Sequence, residues 1–390
     1  MSEWAIEKLG KYCTFQEGYV NPSRKHPEYF DGSVKWIRAV DLNDSYVYDT
    51  TRTLTDAGFH SAGKSALLFE PDTIVISKSA TIGRLGIIKD YMCGNRATIN
   101  IRPKNNADLK YIFFLLLANR SVIEDLAVGS VQRNLYVSIL DNLELPFPSL
   151  ECQRKIGSFI SVLTDKIETN NKINQNLLQQ AQLVFAKEFL SFDEIPEGWK
   201  ESSLLGIADY LNGLAMQKFR PKVDEIGLPV LKIKELRQGS CDSSSELCSP
   251  SIKSEYIIHD GDVVFSWSGS LLVDFWCGGT CGLNQHLFKV TSNTYEKWFY
   301  YAWTNHHLQR FIAIAADMAT TMGHIKREEL EKAKVLIPPQ SEYERIGKLL
   351  APVYDLVISN RIENRKLAAL RDELLPKLMS GELDVSEIEL

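Results

Sequence analysis

The sequence predicts an α+β protein: two tandem mixed α/β domains and two long helices that pair as an antiparallel coiled coil, with pseudo-twofold symmetry. Three features carry this expectation: an internal repeat along the whole chain, a heptad-patterned helix in each copy, and a proline-bearing break ahead of each helix. Trp4, Leu9 and Gly18 recur as Trp199, Leu204 and Gly213, each 195 positions later. TIVISKS at 73–79 recurs as DVVFSWS at 262–268, and GNRATINI at 94–101 recurs as LNQHLFKV at 283–290. Ile156 and Gly157 recur as Ile346 and Gly347, and the offset then holds at 190 along the helical part. Drift confined to the globular part places loop insertions there. The expected division is a first domain at 1–150, a central helix at 151–192, a second domain at 193–340, a C-terminal helix at 341–380 and an acidic tail at 381–390.

Each element follows from its local pattern. Short apolar runs such as TIVIS and DVVFS, set between Gly-bearing turns, read as buried strands, and YIFFLLLANRSVIEDLA and WFYYAWTNHHLQRFIAIAA read as helices. LPFPSL and IPPQSE interrupt the chain just before the long helices, because proline disfavours a helical conformation in the residue ahead of it. Ile160, Leu163, Ile167, Asn170, Asn174, Leu177, Ala181 and Val184 alternate steps of three and four, which makes one stripe along a helix. Adding 190 gives Leu350, Val353, Val357, Asn360, Asn364, Leu367, Arg371 and Leu374, nearly the same stripe. Only another helix can bury such a stripe, and each copy is the natural partner of the other. A buried amide left unpaired costs about 1 to 3 kcal/mol, so Asn170, Asn174, Asn360 and Asn364 are expected to fix the register and orientation in which they bond one another.

Composition narrows the function classes. With 44% hydrophobic and 24% charged residues the chain reads as an ordinary globular protein, and its longest apolar run, IFFLLLA, is too short for a membrane span. MSEWAIEKLG has no basic start followed by an apolar core, so a cytoplasmic location is expected. The seven cysteines are odd in number and scattered, which argues for reduced thiols. Cys277 and Cys281 near His286 lack the partners of a tetrahedral zinc set and read as ordinary strand or loop residues. A net charge of −6 excludes binding to nucleic acid through bulk charge but leaves room for local basic faces. One lies at 78–104, where Lys78, Arg84, Lys89, Arg96, Arg102 and Lys104 face the single acid Asp90.

Catalytic motifs are missing. The chain has no dinucleotide-binding glycine fingerprint, phosphate loop, zincin motif or nucleophile elbow. Pro338 and Pro339 lack the preceding Asn or Asp and following aromatic of an amino-methyltransferase, and no acid stands two residues before Lys78 as a metal-dependent nuclease would need. Polar and basic residues cluster instead at matched places in the two halves. Lys78, Ser79, Thr81 and Arg84, then Asn95 and Arg96, then Gln132, Arg133 and Asn134 form the first set. Ser266, Trp267, Ser268 and Ser270, then Asn284, Gln285 and His286, then Thr320, Thr321 and His324 form the second. Arg suits guanine, Asn and Gln suit adenine, and Ser, Thr and Lys suit phosphate, so these loops are the candidate DNA-binding residues. Two readers built on one frame should differ where they touch different bases.

Taken in order, IPEGWKESSL, VVFSWSGS, LNQHLFKV, LPFPSLECQRKIGSFISVLTDKIETNN, LIPPQSEYERIGKLLAPVYDLVISN and LPKLMSGEL resemble the specificity subunit of type I restriction–modification systems over essentially the whole chain. The resemblance implies two target-recognition domains, each reading half of a bipartite site in double-stranded DNA. It also implies two family-shared helices, packed antiparallel, that space the domains and, at 151–190 and 341–380, dock methyltransferase (modification) subunits. The subunit itself would be non-catalytic and hold no cofactor, with S-adenosylmethionine, ATP and Mg on partner methyltransferase and restriction/translocase subunits. Two positions depart from the family pattern. Gln153, three residues before Ile156, has Tyr343 as its counterpart, which removes the expected amide. Pro352 replaces the aliphatic Val162, so the second helix is expected to kink or begin late. The rival readings are a scaffold that does not bind DNA and a stand-alone fused methyltransferase or restriction enzyme. Salt-dependent DNA binding separates the first from a DNA reader, and methyl transfer by the chain alone would reveal the second.

Overall fold

The computed structural model describes residues 4–79, 81–129, 133–317 and 324–385. The chain divides into two compact units, one made of 1–168 with 367–390 and the other of 169–366.

The first unit is built around a five-stranded sheet in the order Cys13–Glu17, Thr98–Pro103, Thr73–Ser77, Leu85–Ile88, Ser45–Val47. All five residues of Thr73–Ser77 are buried, as a continuous apolar run covered on both faces should be. A smaller sheet runs Thr53–Leu54, Phe30–Ile37, Met92–Gly94, Leu68–Phe69, with the middle two strands parallel. A third pairs Ala5–Lys8 with Glu144–Phe147. Helix Leu109–Ala118 packs six consecutive buried residues against the core and is capped by Asp108, whose carboxylate accepts the Tyr111 N–H at 2.9 Å. Ile74, Ile76, Ile99 and Phe113 share this core with Ile156 and Ile160 from one long helix and Leu375 and Leu378 from the other.

The second unit repeats the plan. Its sheets run Asp209–Asn212, Leu287–Thr291, Val263–Ser266, Leu272–Phe275, and Leu247–Cys248, Leu228–Leu231, Cys281–Leu283, Ile257–Ile258, again with a parallel middle pair. Lys200–Ser203 pairs with Lys334–Ile337. Among the described residues, Ser45–Val47 has no counterpart, and a single helix Lys297–Asp317 stands where the first unit has Leu109–Ala118 and Arg120–Leu126 separated at Asn119. Backbone bonds recur residue for residue: Gly18 N–H donates to the Thr98 carbonyl and Gly213 N–H to the Leu287 carbonyl, both at 3.0 Å. Both glycines are obligatory. A Cβ on Gly18 would lie 2.2 Å from the Asn95 carbonyl oxygen, and one on Gly213 would lie 2.2 Å from that of Asn284.

The long helices are Leu150–Phe189 and Gln340–Met379, 40 residues each. Inside the second unit they run antiparallel. Asn170 Nδ2 donates to Asn364 Oδ1 at 2.8 Å, and Asn360 Nδ2 donates to Asn174 Oδ1 at 2.8 Å. Asn170 and Asn174 are 1% and 5% exposed, whereas Leu163, Ile167, Leu177 and Val184 of the same stripe are only half-buried. Asn170 and Asn174 are therefore buried more deeply than their immediate apolar neighbours in the stripe and are bonded across the pairing. Asn170 also donates to Glu363 at 2.7 Å and Asn364 to Asn171 at 2.9 Å.

Two expectations at the helix starts are corrected. The second helix does not begin late: it is already continuous from Gln340, well ahead of Pro352. Tyr343 does not lose the role of Gln153 either. Gln153 Oε1 accepts the Asp108 N–H at 3.1 Å, while its Nε2 donates to the Pro148 carbonyl at 3.0 Å. The Tyr343 hydroxyl accepts the Glu296 N–H at 2.8 Å, and Glu296, like Asp108, stands just ahead of the helix that follows the sheet. A phenol and an amide satisfy the same orphan donor, and burial pushes the Tyr343 hydroxyl up to about 12, which keeps it neutral.

Candidate nucleic-acid interface

Three loops converge at one edge of each central sheet, and the same backbone bonds assemble them. In the first unit Lys78 N–H donates to the Ala97 carbonyl and the Lys78 carbonyl accepts the Leu135 N–H, both at 2.8 Å. In the second, Trp267 N–H donates to the His286 carbonyl at 3.4 Å and the Trp267 carbonyl accepts the Ile325 N–H at 2.9 Å. Segments around 78, 96 and 134, and around 267, 285 and 324, are thereby brought together as their sequence clusters suggested.

The side chains sort into frame and variable surface. Ser77 and its counterpart Ser266 are fully buried. Ser77 Oγ donates to the Thr81 carbonyl and accepts the Arg84 N–H, and Ser266 Oγ donates to the Ser268 carbonyl at 3.2 Å. Ser266, expected among the DNA-binding residues, is thus a turn-former inside the sheet, which its position in a buried strand explains. Asn95 and Asn284 are likewise matched turn-formers: their side-chain oxygens accept the N–H of Ala97 at 3.0 Å and of His286 at 3.4 Å. Arg133 donates to the carbonyls of Ala127 at 3.2 Å and Asp125 at 2.9 Å and also to Glu124, closing the end of helix Arg120–Leu126. Asn134 forms an isolated bridge with Val128.

Where the frame leaves a choice, the units differ. Lys78 pairs with Glu17 at 3.1 Å, and the counterpart pair is Trp267, whose indole N–H donates to Asn212 at 2.9 Å. Trp267 lies against His286 and His324, with ring centroids 6.0 and 6.3 Å away, and the His286 ring bonds Ser268 at 3.1 Å and Gln285 at 3.3 Å. Ser268 is buried in this cluster and Ser270 is exposed beside it. In the first unit Ser79 is half-buried, while Thr81, Arg84 and Arg96 are exposed. The basic stretch at 78–104 is partly neutralised: Lys89 pairs with Asp72 at 2.6 Å, Arg102 with Glu70 at 3.0 Å, and Lys104 donates to the Gly10 carbonyl at 2.6 Å. Arg84 and Arg96 carry no ion pair among the described residues. Gln132, Thr320 and Thr321 lie outside the described residues.

Each face is fastened to a long helix by its own chemistry. In the first unit the Tyr46 hydroxyl donates to Asp165 at 2.7 Å and Lys110 donates to Ser161 at 2.8 Å. In the second, Arg361 pairs with Asp274 at 2.7 Å, and Arg365 grips both oxygens of Asp260 at 2.7 Å, holding that carboxyl below the usual carboxylate range. Among the described residues no group of three His, Cys, Asp or Glu is placed to hold a metal. Burial pushes the Cys277 thiol up to about 11 and raises Cys281 as well, which suits core residues rather than nucleophiles.

Arg24, Arg38 and Arg52, which line a cavity beside Asn95, were not indicated by the repeat. They fall in the stretch between Gly18 and Lys78, where the two halves diverge in sequence and no repeated motif marks them.

Two loop clusters that differ in side chains on one duplicated scaffold define a protein of tandem modules. The type I restriction modification DNA specificity domain matches residues 1–179 and again residues 196–371, and the chain belongs to this family, whose members supply specificity rather than catalysis. The type I restriction enzyme MjaIX specificity subunit of Methanocaldococcus jannaschii is 27% identical over 99% of this chain and 95% of its own length. The EcoKI specificity subunit of Escherichia coli is 25% identical over 97% of this chain and 89% of its own. The fold is shared with the S subunit of a type I restriction-modification system from M. genitalium, at a TM-score of 0.57 and 15% identity, covering 97% of this chain and 96% of that one. Among the described residues no helix is long and apolar enough to cross a membrane.

Proposed function

We propose that this chain is the subunit that tells a type I restriction–modification complex where to act. Each globular region reads one half of a bipartite site in double-stranded DNA, residues 1–150 forming the first target-recognition domain and 193–340 the second. The spans 151–192 and 341–380 are the spacer and dock methyltransferase subunits, to which restriction/translocase subunits are added; 381–390 is an acidic tail. S-adenosylmethionine, ATP and Mg act on those partners, in the cytoplasm. The observation that carries this reading is the convergence of three loops through equivalent backbone bonds in both units, with Lys78, Arg96 and Ala97 replaced by Trp267, Gln285 and His286. A duplicated frame with substituted contact residues suits two half-sites of different sequence.

Methylated positions mapped in DNA modified by the assembled complex test it. The expected result is one bipartite sequence with a fixed gap, and loop exchange at 266–270 and 284–286 changes only one half of it. Salt-independent binding, or no sequence preference, would leave a protein-binding scaffold as the better reading. Two readers on one side of a duplex meet equivalent major-groove faces about every 34 Å. Seven residues, about 10 Å of helix, inserted into both long helices should therefore lengthen the tolerated gap.

A further inference from the structure

The first unit holds a cavity of about 590 Å³ next to the Asn95 turn. Phe30 and Trp36 form aromatic wall, and Arg24, Arg38 and Arg52 line it with them. No Asp or Glu is among the lining residues, although the chain has 50 acidic residues against 44 basic ones. A concave site of one charge sign with apolar walls focuses the field and draws in the opposite charge.

Two of the three guanidinium groups are placed on aromatic rings. Arg52 lies 4.2 Å from the Phe30 ring centroid and Arg38 5.3 Å from that of Trp36. The Trp36 ring is itself anchored, its indole N–H donating to the Val20 carbonyl at 2.8 Å. Arginine stacked on an aromatic face keeps its N–H edge available for a planar or tetrahedral oxyanion. The nearest acid, Asp41, is already engaged: its oxygens accept the Arg38 backbone N–H at 2.9 Å, the Thr51 N–H at 2.9 Å and the Thr51 hydroxyl at 2.6 Å. Arg38 is itself partly engaged: its Nε pairs with Asp41 at 3.7 Å and its guanidinium donates to the Thr51 hydroxyl, so Arg24 and Arg52 are the cations left open to a ligand. Arg24 and Arg52 carry no ion pair among the described residues.

The second unit shows what neutralisation of the same place looks like. Lys232 is the counterpart of Arg38, since each donates its backbone N–H to the acid three residues on, Asp41 or Glu235. Lys232 pairs with Glu246 at 2.5 Å, and Arg220 pairs with the same carboxylate at 3.3 Å. The cations there are closed on each other's counter-ion.

Resting on the reading that the chain binds DNA, we infer that the Arg24–Arg38–Arg52 cavity of the first unit is a phosphodiester site that anchors the DNA backbone without reading bases. DNA presents its convex, anionic ridge as sugar–phosphate and its base edges inside grooves, so a concave arginine-lined site fits the former. Among the described residues the second unit has no equivalent anchor while Glu246 holds Arg220 and Lys232.

The test is a salt series of duplex binding by the full chain assembled with its methyltransferase subunits, on target and non-target sequences. The double variant R24A/R52A should bind every sequence roughly tenfold more weakly, with the slope of log affinity against log salt reduced by about 2 and the preferred sequence unchanged. R24K/R52K keeps the charges and should keep the slope, which guards against a folding defect. E246Q in the second unit should steepen the slope. A changed sequence preference, or an unchanged slope in R24A/R52A, overturns the anchor while leaving DNA reading intact; failure of the wild-type complex to prefer any sequence overturns the underlying reading instead.

Discussion

The two units share the backbone bonds that join their three loops and almost none of the side chains that face outward from them. Gly18 and Gly213 approach the Asn95 and Asn284 carbonyls identically, and Ser77 and Ser266 close the same turn. Beside them, Lys78 bonds Glu17 where Trp267 bonds Asn212. The difference teaches which part of the sequence carries which job. Backbone proximity and buried small residues maintain the frame, and a polar partner swap at fixed positions retunes the surface without disturbing it.

The comparison breaks most severely at the shared glycines. Gly18→Ala or Gly213→Ala drives a Cβ into backbone that cannot retreat, and each should destabilise its own unit by about 2 to 3 kcal/mol, read from urea unfolding followed by a probe in each unit. A loss well below 1 kcal/mol would mean the close approach is not what holds the frame. The helix starts come next. Gln153→Ala leaves the half-buried Asp108 N–H without its acceptor and should cost about 2 kcal/mol, Tyr343→Phe about 1 kcal/mol, and Tyr343→Gln close to nothing if amide and phenol are interchangeable acceptors. Equal costs for Tyr343→Phe and Tyr343→Gln would refute that equivalence.

Replacing Asn170, Asn174, Asn360 and Asn364 together with Leu should raise helix-pair stability while loosening its register, visible as altered pairing in a crystal structure of the variant. An unchanged register would show that flanking contacts set it. The smallest effect concerns acid. Because Arg365 lowers the Asp260 carboxyl below its unfolded value, the pair stabilises the second unit above the ordinary carboxylate range and is lost as pH falls through the lowered value. Asp260→Asn should therefore remove part of the acid sensitivity of the second unit, by less than about 1 kcal/mol for a partly exposed pair. The first unit, fastened through Tyr46 and Asp165, should not respond to that change.

The frame was legible because its strands are short apolar runs that occur twice, and the coincidence of TIVIS with DVVFS locates both sheets. The long helices were legible from their stripe, and the asparagines from interrupting it. The binding edge was half legible. Clusters at matched positions pointed to loops that the fold brings together, but sequence could not distinguish Asn95 and Asn284, which make the turns, from Arg96 and Gln285, which occupy them. Ser266 was misread because a serine at the end of a buried strand looks the same in sequence whether it turns in or out. Tyr343 was misread because hydrogen-bond equivalence between a phenol and an amide is a matter of reach. The arginine cavity was invisible because its residues sit where the two halves share no sequence motif, and they meet only when Phe30, Trp36 and Arg52 fold onto one another.

Leu375, Leu378 and Met379 close the core around Ile156 and Ile160, although about two hundred residues separate them along the chain. A ribosome synthesising this protein releases the first unit's sheets long before the segment that seals them. The nascent first unit must therefore wait, with an uncovered apolar helix face, until residues 375–379 have been made, while the whole of the second unit's sequence emerges in the interval. Slow codons or a bound chaperone late in synthesis should affect the half made first.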